Sequence, residues 1–164
     1  MIIAVLGLPG SGKSFFASRL AKRLRAKYVS SDNIRLKVLE QRTYAIAEKL
    51  KVYDLMIQEM KQALEQGEKL ILDATFFKNQ IRQKFSEAAT FYEQKIIFIE
   101  IRANESLIQE RVSRKRRESE ADYPVYLKLK KEFEPLSHDH LILESKRDNI
   151  AEMIDAAILY LSQQ

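Results

Sequence analysis

Gly7-Leu8-Pro9-Gly10-Ser11-Gly12-Lys13-Ser14 satisfies the spacing GxxxxGK[ST] and stands directly behind the first apolar run, Ile2-Ile3-Ala4-Val5-Leu6. No other feature constrains the fold as tightly. A strand must deliver such a loop, glycines must bend it, and a helix must begin at its end. The three glycines let successive backbone N–H groups turn inward around an anion. Lys13 then reaches β- and γ-phosphates, the Ser14 hydroxyl suits Mg²⁺, and a helix starting near Lys13 adds the partial positive charge of its N-terminus. The following FFASRLAKRL repeats Phe16, Leu20 and Leu24 at helical spacing. Gly7, Leu8, Pro9, Gly10, Ser11, Gly12, Lys13, Ser14 and Phe15 are therefore expected to surround the phosphates of a nucleoside triphosphate.

A chain of 164 residues, 46% of them hydrophobic, is long enough for one well-buried core and too short for two ordinary domains. No repeat, low-complexity tract or flexible linker interrupts it, so residues 1–164 are expected to form one domain. Cysteine is absent, which excludes disulfides and thiolate metal sites. No apolar run approaches bilayer-spanning length, and the first strand begins at residue 2 with no room for a leader, so a cytoplasmic protein with no membrane partner is the expectation. The net charge of +5 favours anionic partners without demanding nucleic acid. Its distribution says more: Arg111, Arg114, Lys115, Arg116 and Arg117 crowd one short segment.

Strand-like runs at Ile2–Leu6, Tyr28–Ser30, Lys69–Leu72, Lys95–Ile101 and Leu141–Leu143 alternate with helical stretches near 13–24, 32–39, 45–66, 78–92, 104–117, 123–133 and 148–162. Gly67 marks a helix stop, and Asn104 and Asp148 are the expected N-caps of the two helices they precede. The alternation fits a doubly wound α/β fold with nucleotide at the strand C-termini.

The run Lys69-Leu70-Ile71-Leu72 ends in Asp73. A carboxylate at that strand end stands beside Ser14 and holds Mg²⁺ directly or through water. Ala74 follows, where mechanochemical ATPases usually place a Glu that activates water, so the usual base for hydrolysis is missing from that slot. Ser30-Ser31-Asp32-Asn33-Ile34-Arg35 follows the second strand and opens a helix. Asp32, at the same sheet edge as the phosphate loop, is placed to accept the proton of an attacking hydroxyl, with Arg35 one turn on as a clamp for an anionic acceptor. The plainer alternative makes Asp32 an N-cap and Arg35 a surface residue.

GLPGSGKS, SSDNIR, LILDATF and SEAD…FEPL, in that order, resemble a group of bacterial P-loop kinases. These are grouped with AAA-like ATP-binding proteins and related to polynucleotide kinase, zeta toxin, gluconate kinase and chloramphenicol phosphotransferase. The resemblance covers nearly the whole chain and implies a three-layer α/β/α P-loop NTPase with a mostly parallel five-stranded sheet and a helical lid at about 111–125. It implies Asp32 as general base, Arg35 as a contact to the acceptor's phosphate, and Thr75 of Asp73-Ala74-Thr75 near metal and acceptor. It further implies a basic lid over the transferring phosphate. Arg111, Arg114 and Lys115 share one helix face, with Arg114 expected as the catalytic lid arginine and Arg111 as a nucleotide contact.

The implied activity is transfer of the γ-phosphate of ATP·Mg to an acceptor hydroxyl, a polynucleotide 5′-hydroxyl among the acceptors such relatives use. An ATP-binding switch or slow ATPase acting on a protein or nucleic-acid partner is the alternative. A nucleoside monophosphate kinase ranks lower, because Arg35, Arg42 and Arg82 are the main arginines offered to an acceptor phosphate. Tyr44, Tyr53 and Met56, in the helical stretch before Gly67, are expected to wall the acceptor site, chiefly as core residues. Lys146 and Arg147 are placed to line the adenine end of the ATP site. His138 and His140 are read as turn polarity before the last strand and not as metal ligands.

Overall fold

The computed structural model describes residues 1–38, 46–113 and 122–164. Five strands among them form one sheet: β1 (Ile2–Leu6), β2 (Lys27–Ser30), β3 (Leu70–Asp73), β4 (Ile96–Arg102) and β5 (Leu141–Glu144). Their order is β2-β3-β1-β4-β5, and every pairing is parallel. The sheet is thus wholly parallel where the sequence led us to expect a mostly parallel one. β1 lies at its centre, with Val5 opposite Asp73 on one side and Ile99 on the other.

Both faces of β1 are buried, which explains its unbroken apolar run. Ile3 and Val5 enter one core with Phe16, Ala17 and Leu20 of α1 (Lys13–Leu24) and Met153 and Ala157 of α7 (Ile150–Leu161). Ile2, Ala4 and Leu6 enter the other, with Val52, Met56 and Met60 of α3 (Ile46–Glu65) and Ile81 and Phe85 of α4 (Asn79–Thr90). The period of two along β1 divides its side chains between the cores. α2 (Ser31–Val38) follows β2 without a gap, while α5 (Glu105–Ser113) and α6 (Tyr123–Glu132) lie between β4 and β5.

Of the two expected caps, Asn104 holds: its side-chain oxygen accepts from the Leu107 N–H at 2.8 Å. Asp148 does not cap α7. Asn149 occupies the cap position, and its amide instead spans the loop after β5, accepting from Lys146 N–H and donating to the Glu144 carbonyl, each at 2.8 Å. No helix among the described residues is long and apolar enough to cross a membrane.

Candidate active site

The phosphate loop runs from the end of β1 into α1. Gly12 is the N-cap of α1 with φ +94°, and no side chain caps the helix. The first-turn amides are left open toward an anion, and no acidic residue stands in that turn. The loop is packed tightly from outside. A Cβ on Gly10 would lie 2.9 Å from Val112 Cγ1, and one on Gly12 would lie 2.9 Å from Ser145 Oγ. α5 and the segment after β5 therefore mould the loop.

Arg111 fastens these parts together. Its Nη1 donates to the Gly10 carbonyl (3.2 Å), the Ser11 carbonyl (3.1 Å) and Ser145 Oγ (3.1 Å), and its Nη2 donates to the Lys146 carbonyl (3.1 Å). The side chain lines a cavity beside the phosphate loop, and it belongs to a helix packed on the loop and not to a free lid. Arg114, Lys115, Arg116 and Arg117 lie outside the described residues, as do Arg42 and Tyr44.

Two cavities flank Lys13. The larger, about 540 Å³, is bounded by Gly12, Ser14 and Phe15 on one side and by Ser145, Lys146 and Arg147 on the other. Phe15 is 53% exposed there, with the Arg19 guanidinium 3.3 Å from its ring centroid. The smaller, about 50 Å³, is bounded by Pro9, Asp32, Arg35, Lys49 and Thr75, with Lys13 again in its wall. Asp32 and Arg35 from one stretch of sequence and Thr75 from another therefore meet in one place.

Asp73 is 1% exposed at the C-terminal end of β3. Its Oδ2 accepts from the Tyr28 hydroxyl at 2.6 Å, whereas Oδ1 is buried and makes no hydrogen bond among the described residues. Burial raises the carboxyl's pKa, and Lys13 and the Tyr28 and Ser14 hydroxyls counter it in part. An orphaned carboxylate oxygen beside the Ser14 hydroxyl is a hard-oxygen donor set that fits Mg²⁺. Tyr28, which carried no signal in the sequence beyond its place in a strand, positions that carboxylate.

Arg35 is buried in the wall of the smaller cavity. Its Nη1 pairs with Asp32 at 3.0 Å and its Nε with Glu48 at 2.8 Å. The guanidinium thus fixes the Asp32 carboxylate from within the chain, and the alternative that makes Arg35 a surface residue does not describe it. Asp32 itself lies inside the first turn of α2, so the plain N-cap reading does not describe it.

A strained turn holds the far wall. Phe76 has φ +47°, unfavourable for a bulky residue. Its N–H donates to the Tyr53 hydroxyl at 3.0 Å, and its carbonyl accepts from Arg82 Nη1 at 2.5 Å. Arg82 also reaches the Asn79 side chain and the Glu134 carbonyl, so it braces this turn and is not offered to an acceptor. Met56 is wholly core; Tyr53 is buried and borders the smaller cavity as well. Glu134 of the FEPL segment accepts from the Asn79 N–H at 2.7 Å, closing the N-terminus of α4 over the same turn. His140 is not exposed turn polarity: its ring is buried with Nε2 3.1 Å from Glu100 Oε2. No cluster of three metal-ligating side chains occurs among the described residues.

A parallel sheet in this order, with the loop emerging from the central strand, defines a P-loop NTPase-like α/β fold. The family model for an AAA domain (AAA_33) matches residues 2–136, and the chain belongs to that family. Its fold is shared with kinases. A gluconokinase from Sinorhizobium meliloti 1021 superposes with a TM-score of 0.74 at 16% identity, over 98% of this chain and 91% of that one. The APS kinase CysC of Mycobacterium tuberculosis, in complex with AMPPNP and APS, gives 0.74 at 16% identity, over 98% and 96%. Kti12 of Chaetomium thermophilum, in complex with ADP-AlF3, gives 0.71 at 18% identity, over 96% and 97%. No curated protein matches the sequence.

Proposed function

We propose that this chain is a cytoplasmic kinase, acting as one domain over residues 1–164, that transfers the γ-phosphate of ATP·Mg to a hydroxyl of an acceptor. One observation carries the reading: Lys13 borders both cavities, while Asp32 borders only the smaller. The larger then holds ATP, with its phosphates on the Gly10–Phe15 amides and its base toward Lys146 and Arg147. The smaller holds the hydroxyl. Asp32, steered by Arg35, accepts the proton as the hydroxyl attacks, and Lys13 neutralises charge that spreads over the transferring group. Arg114 is the lid cation in this scheme. Ser14 and Asp73 would hold Mg²⁺, which when bound supplies charge neutralisation at the β- and γ-oxygens.

Ala74 supports transfer to an acceptor over transfer to water. It is fully buried, its N–H is on the Val5 carbonyl, and it has no group to orient water. A polynucleotide 5′ end is one acceptor to test, and a small alcohol is another. Labelled γ-phosphate should be transferred by the wild type, and Asp32→Asn should lower the rate at least a hundredfold with ATP affinity within a few-fold of wild type. Normal transfer by Asp32→Asn would remove Asp32 as the base.

A further inference from the structure

Lys49 lies on α3, in a stretch from which the sequence offered only core aromatics. It is 8% exposed and borders the acceptor cavity together with Asp32 and Thr75. Its ammonium makes no hydrogen bond and no ion pair among the described residues; its one close partner is the Phe77 ring, 4.9 Å from Nζ to centroid. The adjacent carboxylate, Glu48, is on Arg35 instead. Glu132 and Glu48 favour the charged form from a distance, while Lys128 and Arg35 oppose it, and burial outweighs them all to lower the pKa. An ammonium removed from water without a counter-ion is costly. Such a group persists in a cavity wall when its partner arrives with the ligand.

Arg35, in the wall of the same cavity, already carries two carboxylates, Glu48 on Nε and Asp32 on Nη1. The cavity that Lys49 lines with Asp32 and Thr75 is small, about 50 Å³, and an anionic head seated there would meet the ammonium. We propose that Lys49 recognises the acceptor, and that the acceptor is a small hydroxylated molecule bearing a carboxylate, phosphate or sulfate. The proposal rests on the kinase reading and names its substrate class. A neutral polyol would leave the ammonium buried and unpaired, so the same residue that binds the anion rejects uncharged analogues.

The test uses the full chain saturated with AMPPNP·Mg, so that the phosphate loop is already filled. Inorganic phosphate and sodium formate are titrated separately, with chloride at matched ionic strength, and thermal stability is recorded. The wild type should show a saturable rise with phosphate, with formate or with both, which also tells a tetrahedral from a carboxylate head. Lys49→Met should weaken that response at least tenfold, and Lys49→Arg should retain it. Without anion, Lys49→Met should melt at or above the wild-type temperature, because a thioether suits the pocket better than an unpaired charge. A Lys49→Met protein that melts several degrees lower would make the lysine a structural element and overturn the proposal. So would an anion response unchanged in Lys49→Met, or none in the analogue-bound wild type. Failure of the wild type to bind AMPPNP at all would instead defeat the kinase reading beneath it.

Discussion

Asp73 shows how a single residue is set against the stability of the ligand-free protein. Burial raises its carboxyl above the ordinary 3.8 despite Lys13 and two hydroxyls. A folded-state pKa above the unfolded value stabilises the fold below pH 3.8, and that contribution is lost as pH rises through the folded value. Asp73→Asn should therefore raise the melting temperature of the ligand-free protein, by a margin that widens from about pH 4 upward. The same variant should lose the Mg²⁺ dependence of nucleotide binding. Melts of both proteins across pH, with and without ATP·Mg, check both halves. Gly12 carries the opposite constraint. With φ +94° and Ser145 Oγ 2.9 Å from the site of a Cβ, Gly12→Ala should cost about 1–2 kcal/mol from the backbone alone. The contact with Ser145 should add to that loss and weaken ATP binding, measurable by denaturant melts and calorimetric titration.

The elements around the acceptor cavity divide into those a sequence can announce and those it cannot. α1 and the loop before it are local: glycines, an apolar run and a 3.6-residue period lie within 24 residues and agree with one another. The turn at Phe76 is different. Its strain is held by Tyr53 from α3, by Arg82 from α4 and, through Arg82, by the Glu134 carbonyl. Nothing in LILDATF predicts a left-handed phenylalanine, because the residues that stabilise it are remote in sequence. The Arg35–Glu48 pair is equally silent in the sequence, because the two residues stand 13 positions apart and meet only once α2 and α3 pack. Asp148 was misread as a cap because the adjacent Asn149 holds the loop with both ends of its amide. Tyr53→Phe tests the turn. Removing the hydroxyl leaves the Phe76 N–H buried without an acceptor and should cost about 1–3 kcal/mol. If the turn positions Thr75 and Phe77 for the acceptor, the acceptor KM should rise more than the ATP KM.

At the scale of the whole molecule, the strand order does what no single element can. From β1 the chain crosses to the edge strand β2, returns to β3 beside β1, and then crosses to β4 and β5 on the other side, so a crevice opens at the C-terminal end of β1. The phosphate loop fills that crevice. Ser145 to Asn149, after β5, form one wall of the ATP cavity; Asp32, after β2, and Thr75, after β3, form the acceptor cavity on the other. The five strands and their helices were legible as apolar runs and periods, but their order was not, since parallel pairing joins residues tens of positions apart. On the proposed assignment, with donor and acceptor on either side of Lys13, ATP turnover should wait for a hydroxyl. The most direct test is the fate of the γ-phosphate, followed by phosphorus NMR with ATP·Mg in the presence and absence of a pool of small anionic hydroxy compounds. A kinase gives ADP and a phosphorylated acceptor, with turnover at least tenfold faster when the pool is present. Free phosphate formed at one rate with or without the pool would contradict it and establish a hydrolase or nucleotide switch instead.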